Sequence, residues 1–232
     1  MKINIFWFRR DLRLDDNHGL YQALSEDLKV VPIFIFDQQI LTQLSDKKDK
    51  RVQFIYQAIE KLNKKLAKVA SGVDLYYGNP KEVFEKIIKK YDVHSVFTNE
   101  DYEPYALRRD EEIREFLQSK SIEFKTFKDQ VIFAPQEVLK KDGQPFQVYS
   151  PYAKQWEFQL PENLEEYKSE DLLDRFFQFT PNHLTLKDIG FENAGEIFQK
   201  PSLSEDVLKQ YGAKRNFPAA DATSKVSVHL RF

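Results

Sequence analysis

The chain has 232 residues, 41% hydrophobic and 31% charged, and its 35 basic against 37 acidic side chains leave a formal net charge of −2. That balance, with 14% aromatic residues, excludes a disordered chain, which has few aromatics and a large net charge, and a strongly basic nucleic-acid coat, which needs an excess of Lys and Arg. The absence of cysteine excludes disulfides, zinc ribbons, iron–sulfur clusters and thiol catalysis together. The longest unbroken apolar run, residues 30–36, is far shorter than the ~20 residues that cross a bilayer. The apolar stretch 3–8 is interrupted by Asn4 and runs into Arg9 and Arg10, which is not the pattern of a signal peptide. The expectation is a cytoplasmic protein.

Two patterns alternate along the first part of the chain. Residues 3–8 and 30–36 are short, nearly continuous apolar runs, and 73–77, 94–98 and 122–127 follow. Such runs read as strands buried on both faces, the habit of parallel sheets. Between them, residues 50–70 place Val52, Ile55, Ile59, Leu62, Leu66 and Val69 at alternating steps of three and four, one stripe of a helix. Asn79 and Pro80 form a helix start, and Val83, Phe84, Ile87, Ile88 and Tyr91 supply its buried face. Residues 103–118 make a third helix. This alternation predicts an α/β fold: a Rossmann-like five-stranded parallel sheet with helices on both faces. Its predicted core includes Ile5, Trp7, Val31, Ile33, Ile35, Ile55, Ile59, Leu62, Val83, Ile87, Val96 and Leu117.

The pattern changes near residue 135, which sets the expected boundaries: an α/β domain over 1–134, its end and an extended connector over 135–202, and the truncated start of an all-α domain over 203–232. The connector carries a short helix around 152–158. Phe176, Phe177, Phe179, Phe191 and Phe198 are more aromatics than a free linker needs and predict a segment that wraps over another surface. A last helix is expected over 203–211. The chain closes on an amphipathic element that stops as it begins, and reads as a piece of a longer protein.

Several chemistries have no motif here. There is no G-x-G-x-x-G after the first strand, no P-loop and no G-x-S-x-G elbow. His18, His94, His183 and His229 are scattered, so no metal site is expected. Three polar blocks remain. Trp7-Phe8-Arg9-Arg10-Asp11-Leu12-Arg13-Leu14-Asp15-Asp16-Asn17 comes at the carboxyl end of the first strand, where open parallel sheets bind ligands. Its charges could equally brace the loop as ion pairs. Asn99-Glu100-Asp101-Tyr102-Glu103-Pro104-Tyr105 follows the fourth strand to the same edge. The third block runs from Tyr211 through Arg215 to Thr223, Ser224, Lys225, Val226 and Ser227. Its hydroxyls and a following helix N-terminus can surround a phosphate, or form a plain cap.

Taken in order, these blocks resemble the DNA photolyase and cryptochrome family. Trp7-Phe8-Arg9-Arg10-Asp11-Leu12-Arg13 is similar to its N-terminal signature, and Tyr102-Glu103-Pro104-Tyr105 with Arg109-Asp110 to its stretch after the fourth strand. Val148-Tyr149-Ser150-Pro151-Tyr152 with Trp156 resembles its V-[FY]-[ST]-P-[FY]…W element, and Arg215-Asn216-Phe217-Pro218 with the 223–227 run resembles the start of its flavin-binding domain. The resemblance implies a deoxyribodipyrimidine photolyase, a carbon–carbon lyase that splits pyrimidine dimers by electron transfer from light-excited, reduced FAD. It implies FAD contacts at Tyr211, Thr223, Ser224, Lys225, Val226 and Ser227, with Lys225 where the family often has Arg. Arg215 would be a DNA phosphate contact. The groups that grip the dimer are expected beyond Phe232, so no catalytic residue is assigned and the 232-residue chain alone is expected to be inactive. The implied partner of the intact protein, a monomer, is damaged DNA.

In this family the N-terminal domain often carries an antenna pigment. Tyr105 and Ala106 stand at folate-contacting positions and lack the polar pair a pterin needs. Asp37, Asp101 and Glu103 could instead accept hydrogen bonds from a flavin-like ring, with Arg51 for a phosphate tail. The expected antenna is a flavin or deazaflavin rather than folate, the alternative being an empty pocket. Two other functions remain open at this point: a cryptochrome-type blue-light receptor, whose distinguishing residues fall beyond Phe232, and a nucleotide-binding module of an electron-transfer flavoprotein.

Overall fold

A computed structural model describes residues 1–197, 203–227 and 229. Five strands, β1 (Lys2–Phe8), β2 (Val30–Asp37), β3 (Asp74–Gly78), β4 (Asp92–Asn99) and β5 (Glu123–Phe127), form one sheet in the order β3-β2-β1-β4-β5. Every pairing is parallel. The unbroken apolar runs are explained by position: β1 and β2 sit inside the sheet with both faces covered, and all eight residues of β2 are buried.

Helices α1 (His18–Ser25), α2 (Gln38–Leu41), α3 (Lys50–Leu66), α4 (Pro80–Lys90) and α5 (Pro104–Gln118) connect the strands. The path steps from β1 to β2 to β3, then crosses back to β4, so α1 and α3 cover one face and α4 and α5 the other. Leu20, Leu24, Val52, Ile59, Leu62 and Leu66 fill the first layer with Phe6, Phe8 and Phe34. Val83, Phe84, Ile87, Ile113 and Leu117 fill the second with Ile5, Trp7, Ile33 and Val96. Of the predicted core residues only Ile55 is half-buried, at the margin of the first layer. Asn79 caps α4 by accepting from the Lys81 N–H at 2.9 Å, with Pro80 at the first helical position. The stripe drawn to residue 70 ends as a helix at Leu66, continues as a 3₁₀ turn over Ala67–Val69, and stops at Ala70 in the left-handed region. Helix α6 (Tyr149–Gln159) is longer than predicted, and α7 (Glu205–Lys214) lies slightly later.

The phenylalanine-rich segment wraps as expected. Ser169 Oγ donates to the Leu14 carbonyl at 2.7 Å and accepts from the Asn17 N–H at 3.1 Å. The chain then runs under the amino ends of β2 and β3. Phe176 forms a parallel bridge with Val30, and the Phe177 N–H donates to the Val30 carbonyl at 2.8 Å. Asn182 covers the exposed edge of β3: its carbonyl accepts from the Leu75 N–H at 3.1 Å, and its own N–H donates to Asp74 at 2.7 Å. Phe176, Leu186, Ile189 and Phe191 are buried in the first layer, while Phe177 and Phe179 pack against the second. Phe198 lies outside the described residues. Among those residues no helix is long and apolar enough to cross a membrane.

Candidate functional site at the carboxyl edge of the sheet

Strand order reverses between β1 and β4, and the loops that leave these strands therefore part and open a crevice at their carboxyl ends. The first two polar blocks both arrive there. Most of the first is spent on its own structure. The buried Arg9 guanidinium bonds both oxygens of Asp110 on α5, at 2.7 and 2.6 Å, and also donates to the Asn99 carbonyl. Burial lowers the Arg9 pKa, and the nearby Asp110 opposes that shift. The Asn99 side chain is a second hub: it donates to Asp11 at 2.6 Å and to Asn17 at 2.8 Å, and accepts from the Gly19 N–H at 2.8 Å. A Cβ on Gly19 would stand 2.5 Å from the Asn99 side-chain oxygen, so this contact requires glycine. Asn17 in turn caps α1 through the Leu20 N–H. The network ties the loop after β1 and the end of β4 to α1 and α5.

Outside this hub lie the predicted antenna residues. Asp101 and Glu103 come together on Arg10, at 3.4 and 2.6 Å. Asp37, 6% exposed, accepts from the Gln39 N–H at 2.9 Å and from the Tyr105 phenol at 2.5 Å. Burial, and then this bond, push the Tyr105 hydroxyl well above the ordinary phenol range. Tyr105, which with Ala106 lacks the polar pair a pterin needs, joins α5 to the end of β2 through its phenol. Its place just after the Pro104 helix start was the available signal. Arg109 lies over the Trp7 ring at 4.9 Å and over the Tyr105 ring at 5.8 Å. Asp101 also lines a cleft of about 500 Å³ between α5 and the loop after β5, with Tyr102, Leu107, Arg114, Lys128 and Asp129.

Arg51 stands apart, at the start of α3 on the opposite face, and its guanidinium is held by Asp49 at 2.6 Å. Asp49 caps α3, and the Arg51 side chain holds its carboxyl below the usual carboxylate range. A depressed folded-state pKa contributes stability that is present above the unfolded value and lost as pH falls through the folded one. Urea titrations of Asp49→Ala should therefore show a cost of about 1 kcal/mol at neutral pH that fades as pH drops below ~4.

The third block sits elsewhere. Tyr211 lies on α7 and is exposed, with the Arg215 guanidinium over its ring at 5.7 Å. Thr223, Ser224 and Val226 are half-buried, Lys225 and Ser227 exposed. Lys225 has left-handed backbone, φ 55°, and its ammonium pairs with Asp221 at 2.9 Å. The His229 ring packs edge-on against Phe54 of α3 at 5.6 Å, which rests this end of the chain on the α/β domain. Leu230, Arg231 and Phe232 lie outside the described residues. Among the described residues no group of His, Asp or Glu is arranged to hold a metal ion.

The sequence profile of the DNA photolyase family matches residues 4–169. A deoxyribodipyrimidine photo-lyase of Synechococcus sp. is 29% identical over 245 residues, covering 98% of this chain and 50% of that protein. A class III photolyase of Agrobacterium tumefaciens has the same fold, with a TM-score of 0.78 at 22% identity over 99% of this chain and 50% of its own. So does an archaeal photolyase of Sulfolobus tokodaii solved with two FAD molecules, with a TM-score of 0.67 at 24% identity over 100% and 52% of the two chains. This chain spans about half the length of the curated photolyases it matches.

Proposed function

Because the chain belongs to the DNA photolyase family, we propose that it forms the N-terminal part of a deoxyribodipyrimidine photolyase acting on pyrimidine dimers in damaged DNA. Membership sets aside an electron-transfer flavoprotein module. One observation carries the reading: relatives named deoxyribodipyrimidine photo-lyase align along 97–99% of the chain, past the α/β domain and through the block around Tyr211 and residues 223–227. The donor chemistry of that block suits a diphosphate. Thr223, Ser224 and Ser227 offer hydroxyls, and the ammonium of Lys225 would exchange Asp221 for the phosphate as a point charge, without the bidentate fork of Arg. When bound, FAD would supply the light-driven electron that splits the dimer. Tyr211 would pack on the cofactor, and Arg215 would position the DNA strand by a phosphate. The crevice at Asp37, Asp101 and Glu103 would take the antenna pigment. The second FAD in the Sulfolobus tokodaii photolyase, described as a novel light-harvesting cofactor, supports a flavin there over a folate.

Expression of residues 1–232 beside a version continued as the relatives continue, both in the presence of FAD, tests this. The short chain should retain no stoichiometric FAD and repair no dimers. The long one should be yellow and repair cyclobutane dimers under blue light. Stoichiometric FAD on the short chain would overturn the division of labour. A long form that binds FAD but leaves dimers intact would make the signalling alternative the correct one.

A further inference from the structure

A planar ring already sits against Asp37 at the carboxyl end of β2. Trp7, Arg109 and Tyr105 form a column in which the flat guanidinium lies 4.9 Å from one ring centroid and 5.8 Å from the other. Trp7 is buried, while Tyr105 is half-buried at the open end of the column. At its edge the Tyr105 ring carries one donor, aimed at Asp37 Oδ2 at 2.5 Å. The other Asp37 oxygen accepts from the backbone N–H of Gln39 in α2, so Oδ2 is the oxygen left for a partner outside its own loop. An aromatic plane over a guanidinium, with an edge donor on a buried carboxylate, is the set of contacts that a flat heteroaromatic ring with an N–H edge would make.

We propose that Tyr105 occupies, and can be displaced from, the place beside Asp37 and Arg109 that a pigment ring would take, and that pigment affinity is set by competition between the Tyr105 phenol and a ring N–H for Asp37. The inference rests on reading the surroundings of Asp37 as the pigment site. Burial and the Asp37 bond keep the phenol protonated, so the tyrosine remains a donor, and a competitor, across the working pH range. An incoming ring has to break this bond and then rebuild it. The same bond holds α5 to the end of β2, so displacement also loosens the first turn of α5. Removing only the hydroxyl frees the acceptor while keeping the aromatic plane beside Arg109.

Fluorescence-quenching titration with FMN tests the proposal on the full chain, using wild type, Tyr105→Phe, Asp37→Asn and the double variant. Tyr105→Phe should bind FMN about tenfold or more tightly than wild type, the scale of one hydrogen bond to a charged acceptor. The gain should vanish in the double variant, because it comes through Asp37. Equal or weaker binding by Tyr105→Phe, with wild type still binding FMN and Asp37→Asn losing it, would overturn the competition while leaving the pigment site standing. A double variant that keeps the gain would show that Asp37 is not the contested acceptor, and would also overturn it. No FMN binding by any variant up to millimolar concentration would overturn both the competition and the reading of the surroundings of Asp37 as a flavin site.

Discussion

A chain cut after residue 134 should fail to fold, whereas one cut after residue 197 should unfold cooperatively in urea, with a midpoint close to that of the whole chain. The shorter piece keeps all five strands and α1 to α5, so its failure would not be due to missing secondary structure. It lacks Phe176, Leu186, Ile189 and Phe191, which are 1, 8, 2 and 3% exposed in the first core layer. Removing a buried Leu, Ile or Phe side chain costs about 2–5 kcal/mol, and a domain's entire stability is about 5–15 kcal/mol. The cut also uncovers the edge of β3, where Asn182 pairs with Leu75, and unpaired strand edges invite association. It leaves Asp74, which is 0% exposed, without the Asn182 amide and dependent on Tyr76, Lys90 and Tyr91. The single variant Phe176→Ala in the full chain should lose about 3–5 kcal/mol. A soluble, cooperatively folded 1–134 would refute this assignment of the wrapped segment to the core.

Asp110→Ala should lower the stability of the full chain by about 3–5 kcal/mol, the cost of leaving a buried ion without its partner. The Arg9 and Asp110 side chains are 6 and 11% exposed, so little water is at hand to take over. Asp110 also holds Arg109 at 2.9 Å, and its removal leaves two guanidinium groups facing each other beside Trp7. Arg9→Met placed in the same chain should recover part of the loss, because it removes the stranded charge and keeps the stem volume. The exposed Lys65–Asp15 pair, at 3.1 Å with side chains 54 and 62% exposed, is the internal comparison, and Asp15→Ala should cost less than about 1 kcal/mol. Added salt should change the second value and leave the first nearly constant. A small, salt-sensitive effect at Asp110 would mean that water reaches the pair and that the hub does not brace the crevice.

Much of the α/β domain was legible in the order of residues alone. Local periodicity marked the strands at residues 3–8 and 30–36 and the helix beginning at residue 50, because burial on two faces or on one stripe leaves a pattern within a few residues. Asn79 and Pro80 marked a helix start for the same local reason. The ordered blocks around Trp7, Tyr102, Val148 and Arg215 carried the family resemblance. The short helix α1, at His18–Ser25, was not legible. Its two turns are too few to establish a period, and it forms because Asn17 caps it and Leu20 and Leu24 find a core that other segments build.

Partnership was decided by the tertiary structure. Asp37 and Tyr105 are 68 positions apart, Arg9 and Asp110 are 101 apart, and Ser169 reaches Leu14 across 155. Composition offered three arginines and three aspartates near the first strand and could not say which were spent on bracing. Only the crossing from β3 back to β4 brings α5 over the end of β2, and this makes Tyr105, unsuited to a pterin in the sequence, the group that holds Asp37. The same holds for the phenylalanines after residue 175. Their number predicted a covering role, while the surface that Phe176, Phe177 and Phe179 cover, at the amino ends of β2 and β3, exists only once the parallel sheet has assembled. Side-chain identity and spacing specify the elements. Which polar groups remain free for a ligand depends on contacts between elements far apart in the chain, and local periodicity carries no information about them.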